Sequence, residues 1–345
     1  MKVVITGGAG FIGCNLANKL VRSGHQVTIV DNLSRQGSDE NLEWLRAQLG
    51  EAFRFLNCDI RDWDMVQVAC RGAERIYHLA SQVAVTSSVL HPRQDFEVNA
   101  LGTLNVLEAA RLVADDPVFV YASTNKVYGG MEDLNIVAEK SRYRYQDLPY
   151  GVPESYPLDF HSPYGCSKGS GDQYTRDYSR IFGLRTIVFR QSCIYGQRQF
   201  GVEDQGWVAH FVIAAINDRP ITLYGDGKQV RDLLHVDDLI RAYELAVDNI
   251  EITKGRIYNL GGGPDFSLSI WSEFGPILRS LVGHEIEVNW SDWRPGDQRI
   301  FVSDVRKAKD EFGWKPRISP QDGIPRLYRW VQENHDLIRE QLLNR

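Results

Sequence analysis

The stretch TGGAGFIG, residues 6–13, follows an apolar run and opens an amphipathic segment. Its glycines fit the spacing G-x-G-x-x-G at Gly8, Gly10 and Gly13, and equally a spacing that begins one position earlier, at Gly7. Glycines have no Cβ, so the backbone can approach a pyrophosphate at the positive end of a helix. The stretch therefore predicts a dinucleotide site between a first strand and a first helix.

Carboxylates beyond this stretch refine the predicted ligand. Asp31 ends the second apolar run, where the carboxylate of this fingerprint is expected. It would accept a hydrogen bond from a ribose 2′-hydroxyl and repel a 2′-phosphate, which favours NAD over NADP. Arg35 weakens that discrimination, because an arginine can accommodate the phosphate. Asp59 follows the third run and is placed either to reach the adenine or to cap the next helix.

Outward from the glycines, β-branched runs alternate with amphipathic stretches, which is typical of a parallel sheet wound with helices. Strands are predicted at Val3–Thr6, Val27–Asp31, Phe53–Asp59, Arg75–Ala80, Val118–Ser123 and Leu184–Arg190. Helices are predicted at Ile12–Ser23, Glu40–Leu49, Asp62–Cys70, Asp95–Val113 and Tyr164–Ile181. Loops are predicted at Tyr195–Gly206, Gly225–Arg231 and Asp292–Arg299. The expected fold class is α/β, a Rossmann-type doubly wound parallel sheet with a smaller α/β C-terminal substrate lobe.

Composition excludes several classes of function. The 345 residues include 39 Lys+Arg and 45 Asp+Glu, a net charge of −6, so no basic excess points to nucleic acid or an anionic membrane. We find neither an apolar run of about 18 residues nor the pattern of a signal peptide. The five cysteines and eight histidines form no Cys-x-x-Cys or His-Glu-x-x-His pattern. We therefore expect a cytoplasmic protein without a metal, nucleic-acid or membrane partner.

Tyr164 and Lys168 form the candidate catalytic pair. Their spacing of four places both side chains on one face of the predicted helix. A free tyrosine has a pKa of about 10, and an adjacent cation favours the phenolate. The pair therefore predicts a tyrosine that takes a proton from a hydroxyl near neutral pH. Surface residues at this spacing are common, but these follow a dinucleotide fingerprint.

Together the motifs resemble the extended short-chain dehydrogenase/reductase family of nucleotide-sugar epimerases and dehydratases, over nearly the whole chain. The segments that carry the resemblance are residues 6–13, 31–35, 59–60, 78–80, Asn99, 102–103, 123–124, Tyr164, Lys168 and 231–232. The resemblance implies NAD as the cofactor and Thr124 as the hydroxyl residue that completes the catalytic set. It implies cofactor contacts from Gly7, Gly10, Phe11, Ile12, Gly13, Asp31, Asn32, Ser34, Arg35, Asp59, Ile60, Leu79, Ala80, Gln82, Asn99, Ser123, Tyr164 and Lys168.

The residues after Thr124 bear on the reaction type. Dehydratases of the family carry an Asp-Glu pair there, whereas this chain has Asn125 and Lys126, which cannot supply a paired acid and base. We therefore expect an epimerase, an isomerase that oxidises a sugar hydroxyl reversibly. Tyr164 would take the proton, the nicotinamide would take the hydride, and the ketone would be reduced from its other face.

Finer motifs narrow the substrate class. Residues 123–129, 159–169, 204–207, 225–232 and 297–299 closely resemble the CDP-paratose/CDP-tyvelose 2-epimerases, a branch of the family. Cys193 stands where 4-epimerases usually carry asparagine, which fits either a differently seated sugar or a small buried filler. The resemblance implies a CDP-sugar substrate and a transient 2-keto sugar. The alternatives are a UDP-glucose-type 4-epimerase, a net NAD-dependent oxidoreductase and a non-catalytic NAD sensor.

The same resemblance places the substrate and the partner. It implies substrate contacts from Thr86, Thr124, Asn125, His161, Cys193, Gln205, Trp207, Tyr224, Arg231, Arg294 and Asp297, with the two arginines as a diphosphate clamp. Residues 1–190 would bind NAD, with part of 231–262 packing back on them, and residues 191–345 would hold the nucleotide sugar. A homodimer is expected through helices Asp95–Val113 and Tyr164–Ile181.

Overall fold

The computed structural model describes residues 1–293 and 297–342. Its strands are β1 (Lys2–Thr6), β2 (Gln26–Asp31), β3 (Phe53–Asn57), β4 (Arg75–His78), β5 (Val118–Thr124), β6 (Ile136–Ala138), β7 (Tyr143–Tyr145), β8 (Arg185–Gln191), β9 (Cys193–Tyr195), β10 (Ile221–Tyr224), β11 (Val230–His235), β12 (Arg256–Leu260), β13 (Ser267–Ser269), β14 (Val288–Ser291) and β15 (Ile300–Phe301). Its α-helices are α1 (Phe11–Arg22), α2 (Ser38–Leu49), α3 (Trp63–Cys70), α4 (Val85–Leu90), α5 (Pro92–Phe96), α6 (Gly102–Leu112), α7 (Ser162–Phe182), α8 (Trp207–Ile216), α9 (Val236–Asp248), α10 (Ile250–Thr253), α11 (Phe274–Val282), α12 (Arg306–Phe312), α13 (Pro320–Glu333) and α14 (His335–Leu342).

Seven parallel strands form the central sheet, in the order β12-β8-β5-β4-β1-β2-β3. The chain winds from β1 to β2 and β3 on one side, and then returns to β4 and β5 on the other. Loops that leave the carboxyl ends of β1 and β4 therefore diverge, and a crevice opens at this switch point. The predicted Rossmann-type fold class is confirmed.

Alternation along the strands supplies the apolar cores on both faces of the sheet. Ile5 joins α1 and α9 in a cluster on one face, whereas its neighbour Val4 joins α3 and α6 in a cluster on the other. Successive strand residues point to opposite faces, so a continuous apolar run suits a sheet that is covered on both sides.

Short elements build a smaller lobe around β11. This strand pairs with β9 and β15 in parallel and with β13 antiparallel, while β10 pairs with β14. Phe211, Trp271, Phe274 and Leu327 belong to the apolar cluster that fills the lobe. β12 returns from this part of the chain to the edge of the central sheet beside β8.

Several predicted bounds differ from the structure. Strands predicted to Asp59 and Ala80 end at Asn57 and His78. The helix predicted at Asp95–Val113 is divided by a π-helical turn, Glu97–Leu101, and such turns are frequent at functional sites. The loop predicted at Tyr195–Gly206 begins on β9, and part of the loop predicted at Gly225–Arg231 is the start of β11. All six residues of β11 are buried, so no polar alternation marks it as a strand.

Candidate functional site

The glycine stretch forms a close turn between β1 and α1. Gly7 has a φ of 68°, and a Cβ on it would lie 2.6 Å from the backbone nitrogen of Ala80. A Cβ on Gly13 would lie 2.2 Å from the carbonyl oxygen of Gly7. Gly10 is the N-cap of α1, no side chain caps that helix, and its first turn carries no acidic residue. The turn therefore offers an uncapped helix N-terminus, which fits an anionic pyrophosphate.

Asp31 lies at the carboxyl end of β2, beside this turn. Its Oδ2 accepts a hydrogen bond from the Ala9 N–H at 3.0 Å, and its Oδ1 accepts one from the Leu33 N–H at 2.9 Å. Burial raises the pKa of the Asp31 carboxyl. Two backbone donors fix the carboxylate and leave it acceptor capacity for a ribose hydroxyl. Ser34 and Arg35 follow on an exposed segment.

Asp59 and Asn32 form a separate pair next to β3. Arg61 binds Asp59 bidentately, with Nε–Oδ1 at 3.0 Å and Nη2–Oδ2 at 2.8 Å, and the Asn32 amide donates to Oδ2 at 2.9 Å. Hydrogen bonds from Arg61 lower the pKa of Asp59 to about 2. The alternative role of Asp59 as a helix cap is wrong, because Asp62 caps α3 through the Met65 N–H.

The loop after β4 is held against the glycine turn. The N–H of Leu79 donates to the Thr6 carbonyl at 3.1 Å, and the N–H of Ala80 donates to Thr6 Oγ1 at 3.3 Å. His78 is buried between Thr6 and Thr103, and burial lowers its pKa to about 3. A neutral His78 therefore supports the loop rather than exchanging protons at neutral pH.

Asn99 anchors the next part of that loop from the π-helical turn. Its Oδ1 accepts hydrogen bonds from the Ser81 hydroxyl at 2.8 Å and the Gln82 N–H at 2.9 Å. The Gln82 side chain bonds back to the backbone of Ala84. Ile60 is buried against Gly102 at the start of α6, where a Cβ on the glycine would lie 2.5 Å from Ile60 Cδ1.

Thr124, Tyr164 and Lys168 come together at the carboxyl end of β5, and we call them the catalytic trio. Thr124 ends β5, and the other two lie on the first turns of α7. The Thr124 hydroxyl lies near that of Tyr164, and Thr124 Oγ1 accepts the Lys126 N–H at 3.2 Å and donates to Asn125 Oδ1 at 3.4 Å. All three side chains of the trio are buried. The spacing-based prediction that Tyr164 and Lys168 share a helix face agrees with this arrangement.

Burial dominates the electrostatics of the trio. It raises the pKa of Tyr164 to about 12, although the nearby Thr124 hydroxyl opposes the rise. It lowers the pKa of Lys168 to about 7, although Asp172 and Asp95 favour the ammonium. Lys168 Nζ also lies 4.5 Å from the centroid of the Tyr121 ring. The expectation that an adjacent cation favours the phenolate therefore does not hold for the chain alone, because desolvation outweighs that attraction.

Two buried carboxylates next to the trio were missed by the sequence interpretation. Asp95 accepts hydrogen bonds from the Ser167 hydroxyl at 2.5 Å and the Asn99 amide at 3.1 Å. Asp172 binds Arg190 bidentately at 2.9 and 3.0 Å, and the Ser123 hydroxyl donates to it at 2.7 Å. Asp172 lies four residues after Lys168, and Asp95 lies four residues before Asn99. This spacing was the available signal, since it places each carboxylate on the face of a functional residue.

β11 carries Arg231, and we call the part of the smaller lobe around it the opposite wall of the cleft that begins at the catalytic trio. Arg231 Nη2 donates to Asp297 Oδ1 at 2.9 Å and to the Gln298 carbonyl at 2.7 Å. Cys193 lies on β9. Burial raises the pKa of its thiol, and the charges of Arg231 and Lys126 oppose that rise. Trp207 begins α8 and packs edge-on against Phe274 at 5.1 Å between ring centroids, and its indole N–H has no hydrogen-bond partner among the described residues. The other predicted clamp residue, Arg294, lies outside the described residues.

The remaining predicted substrate residues lie on several other elements. Asn125 is buried next to Thr124, and Thr86 lies on α4 with a buried hydroxyl that has no hydrogen-bond partner among the described residues. His161 is the exposed N-cap residue of α7, and its side chain makes no capping hydrogen bond. Gln205 pairs through its backbone with Val202, and the Tyr224 hydroxyl donates to Glu203 at 2.6 Å.

Residues 1–293 and 297–342 contain neither a candidate metal cluster nor a membrane-spanning helix. Histidine, cysteine, aspartate and glutamate side chains form no group of three that could hold a metal ion within those ranges. None of the helices in the same ranges is long and apolar enough to cross a membrane.

Comparisons with known proteins agree with this geometry. The family described as GDP-mannose 4,6 dehydratase matches residues 4–327. A CDP-paratose 2-epimerase of Salmonella typhi is 44% identical over 338 residues, which is 96% of this chain and 99% of that protein. The Thermotoga maritima UDP-glucose 4-epimerase with UDP-glucose is 30% identical, with a TM-score of 0.83 over 97% of this chain and 100% of that one. The Thermus thermophilus UDP-glucose 4-epimerase complex with NAD is 31% identical, with a TM-score of 0.78 over 96% and 99%.

Proposed function

We propose that this chain, which belongs to the GDP-mannose 4,6 dehydratase family, is an NAD-dependent nucleotide-sugar epimerase that inverts C2 of a CDP-linked hexose. The observation that carries the proposal is the trio of Thr124, Tyr164 and Lys168, held beside a dinucleotide cradle without the carboxylate pair that an elimination needs. The 44% identity to a CDP-paratose 2-epimerase over nearly the full length of both chains supports C2 as the reacting carbon.

Residues of both walls would hold the two ligands. The uncapped start of α1, Asp31 and the loop after β4 fit NAD, and residues 1–190 with β12 would form its domain. Residues 191–345 would hold the nucleotide sugar, with Arg231 on its diphosphate and Cys193, Trp207 and Asp297 lining the same pocket. We assign the other predicted contacts to the two ligands as the resemblance implies.

The trio performs the proton transfer. When bound, NAD⁺ supplies the acceptor for the hydride and a positive ring charge near the hydroxyls. Thr124 donates a hydrogen bond that orients the reacting oxygen, while Tyr164 in its phenolate form accepts the proton of that oxygen and later returns it. Lys168 lies one helical turn from Tyr164 and is buried near two carboxylates. Its protonation state can therefore change with that of the tyrosine. After oxidation the 2-keto sugar presents its other face, and reduction there inverts C2.

Residues 125 and 126 exclude elimination as the main reaction. A dehydratase removes water with a paired acid and base, and Asn125 and Lys126 provide neither a carboxylic acid nor a carboxylate. We therefore infer that this chain shares its fold and cofactor chemistry with the dehydratases of the family, and that its overall reaction is an epimerisation, as in the epimerase relatives.

A homodimer fits the exposed apolar face of α4 to α7. Leu90 is 74% exposed and Ile181 is 66% exposed, and Phe96, Leu112 and Phe182 also lie uncovered on these helices. Monomeric proteins rarely leave so many large apolar side chains together in water. A second copy of this chain would cover them through the helices that the resemblance names. We also infer a cytoplasmic location, because all five cysteines are unpaired.

Product analysis by NMR tests the proposal. The purified protein is incubated with CDP-paratose, CDP-glucose, GDP-mannose and UDP-glucose without added cofactor. We expect inversion at C2 of a CDP-sugar without accumulation of NADH, and Tyr164→Phe should lower that rate by about 10²–10⁴-fold while the bound NAD stays unchanged. Inversion of UDP-glucose at C4 would establish the alternative 4-epimerase, and net NADH would establish an oxidoreductase.

A further inference from the structure

Lys126 is a charged side chain at the cleft to which the proton transfer gives no role. Its backbone N–H donates to the Thr124 hydroxyl at 3.2 Å, so the residue begins beside the reacting group. Its Nζ donates to Gln298 Oε1 at 3.3 Å, on the opposite wall. Lys126 therefore reaches from the catalytic trio to the wall that carries Arg231.

Positive charge exceeds negative charge around this lysine. In the described part of the chain, Lys126 and Arg231 share one nearby carboxylate, Asp297, and Arg231 bonds to it directly. The partner of Lys126 Nζ is a neutral amide. Burial, followed by repulsion from Arg231, lowers the pKa of Lys126. An anionic group of the ligand would restore the balance and stabilise the ammonium.

The chemistry of a nucleotide sugar places such an anion close to Thr124 in one orientation only. C1 carries the sugar-linked phosphate, C2 is the neighbour of C1, and C4 lies across the ring. When the C2 hydroxyl meets Thr124 and Tyr164, the phosphate lies beside the residues that follow Thr124. When the C4 hydroxyl meets them, the ring separates the phosphate from those residues.

We propose that Lys126 binds the sugar-linked phosphate and thereby holds C2, rather than C4, at the catalytic trio. The inference rests on the proposed function, and it makes Lys126 a residue that determines which carbon reacts. Arg231 cannot take this role alone, because it is fixed to Asp297 and to the Gln298 carbonyl on its own wall.

Nucleotide titrations test the phosphate contact directly. CDP carries the sugar-linked phosphate and CMP lacks it, so the two are titrated by calorimetry into the NAD-loaded protein. A charge-assisted hydrogen bond of this kind corresponds to about ten- to hundred-fold in affinity. Lys126→Met should weaken CDP by that factor and leave CMP unchanged, and Lys126→Arg should restore most of the CDP affinity. Lys309→Met, at an exposed lysine of α12, is the matched control and should bind both as the wild type does.

Turnover then tests the orientation. We expect Lys126→Met to raise KM for CDP-paratose and also to lower kcat, because a sugar without its phosphate anchor is misplaced against Tyr164. Equal loss of CDP and CMP affinity, no loss of either, or weaker CDP binding with unchanged turnover would each overturn the inference. A wild-type protein that inverts C2 of neither CDP-paratose nor CDP-glucose would refute the proposed function, and the titrations would still decide the phosphate contact.

Discussion

Gly13→Ala is the substitution for which the structure gives the clearest expected effect on the cofactor site. The new Cβ would lie 2.2 Å from the Gly7 carbonyl oxygen and 2.6 Å from the Gly8 Cα. Both are backbone atoms, so no side-chain rotation relieves the overlap, and the turn must move by roughly 1 Å to reach ordinary contact distance. Overpacking of this kind costs about 1–3 kcal/mol of unfolding free energy. The same movement displaces the backbone that faces the pyrophosphate.

The assay is the amount of NAD released on denaturing the purified protein, together with its chemical unfolding curve. We expect Gly13→Ala to retain less NAD than the wild type, because loss of one charge-assisted hydrogen bond to phosphate weakens the affinity about tenfold or more. Gly24→Ala is the control. It has open space around it but a φ of 83°, so it should cost about 1–2 kcal/mol in strain without touching the cradle. Full NAD content in Gly13→Ala, or equal losses in both variants, would refute this reasoning.

Two further predictions concern the trio and the dimer. Asp95→Asn removes a negative charge that raises the pKa of both Tyr164 and Lys168, so both limbs of the pH profile of kcat should move to lower pH. A profile that stays in place, measured with saturating NAD, would contradict the role of Asp95. Ile181→Glu introduces a charge into the apolar face of α7, and light scattering should show a monomer where the wild type is a dimer. A wild-type monomer, or a variant that remains dimeric, would contradict the proposed interface.

Most of the central sheet could be predicted because its signal is local. Strands β1, β2 and β5 are apolar runs next to amphipathic helices, and the glycine stretch marks their first junction. The C-terminal lobe was harder to predict. Its strands are short, and β11 is buried on both faces, so the usual polar alternation is missing. The division of the predicted helix at Glu97–Leu101 depends on tertiary contacts of Asn99, which no local pattern contains.

In the site, too, some features follow from the sequence and others depend on the folded structure. Thr124, Tyr164 and Lys168 follow from motif and spacing, and the structure brings them together. The raised pKa of Tyr164 could not be predicted from spacing, because desolvation depends on how deeply the fold buries the hydroxyl. Lys126 entered the sequence interpretation only as a residue that cannot serve a dehydratase. Its reach to Gln298 joins residues far apart in the chain, so only the folded structure shows it.

In the proposed reaction, C2 of a nucleotide sugar is oxidised and reduced again within one active site. The most direct measurement is NMR of the sugar after turnover of CDP-paratose in D₂O, without added cofactor. If the hydride returns directly, the C2-inverted product carries no deuterium at C2, because the hydrogen removed from C2 comes back to it. Deuterium at C2 of the product would contradict this account, since it would mean that a solvent proton was added at that carbon.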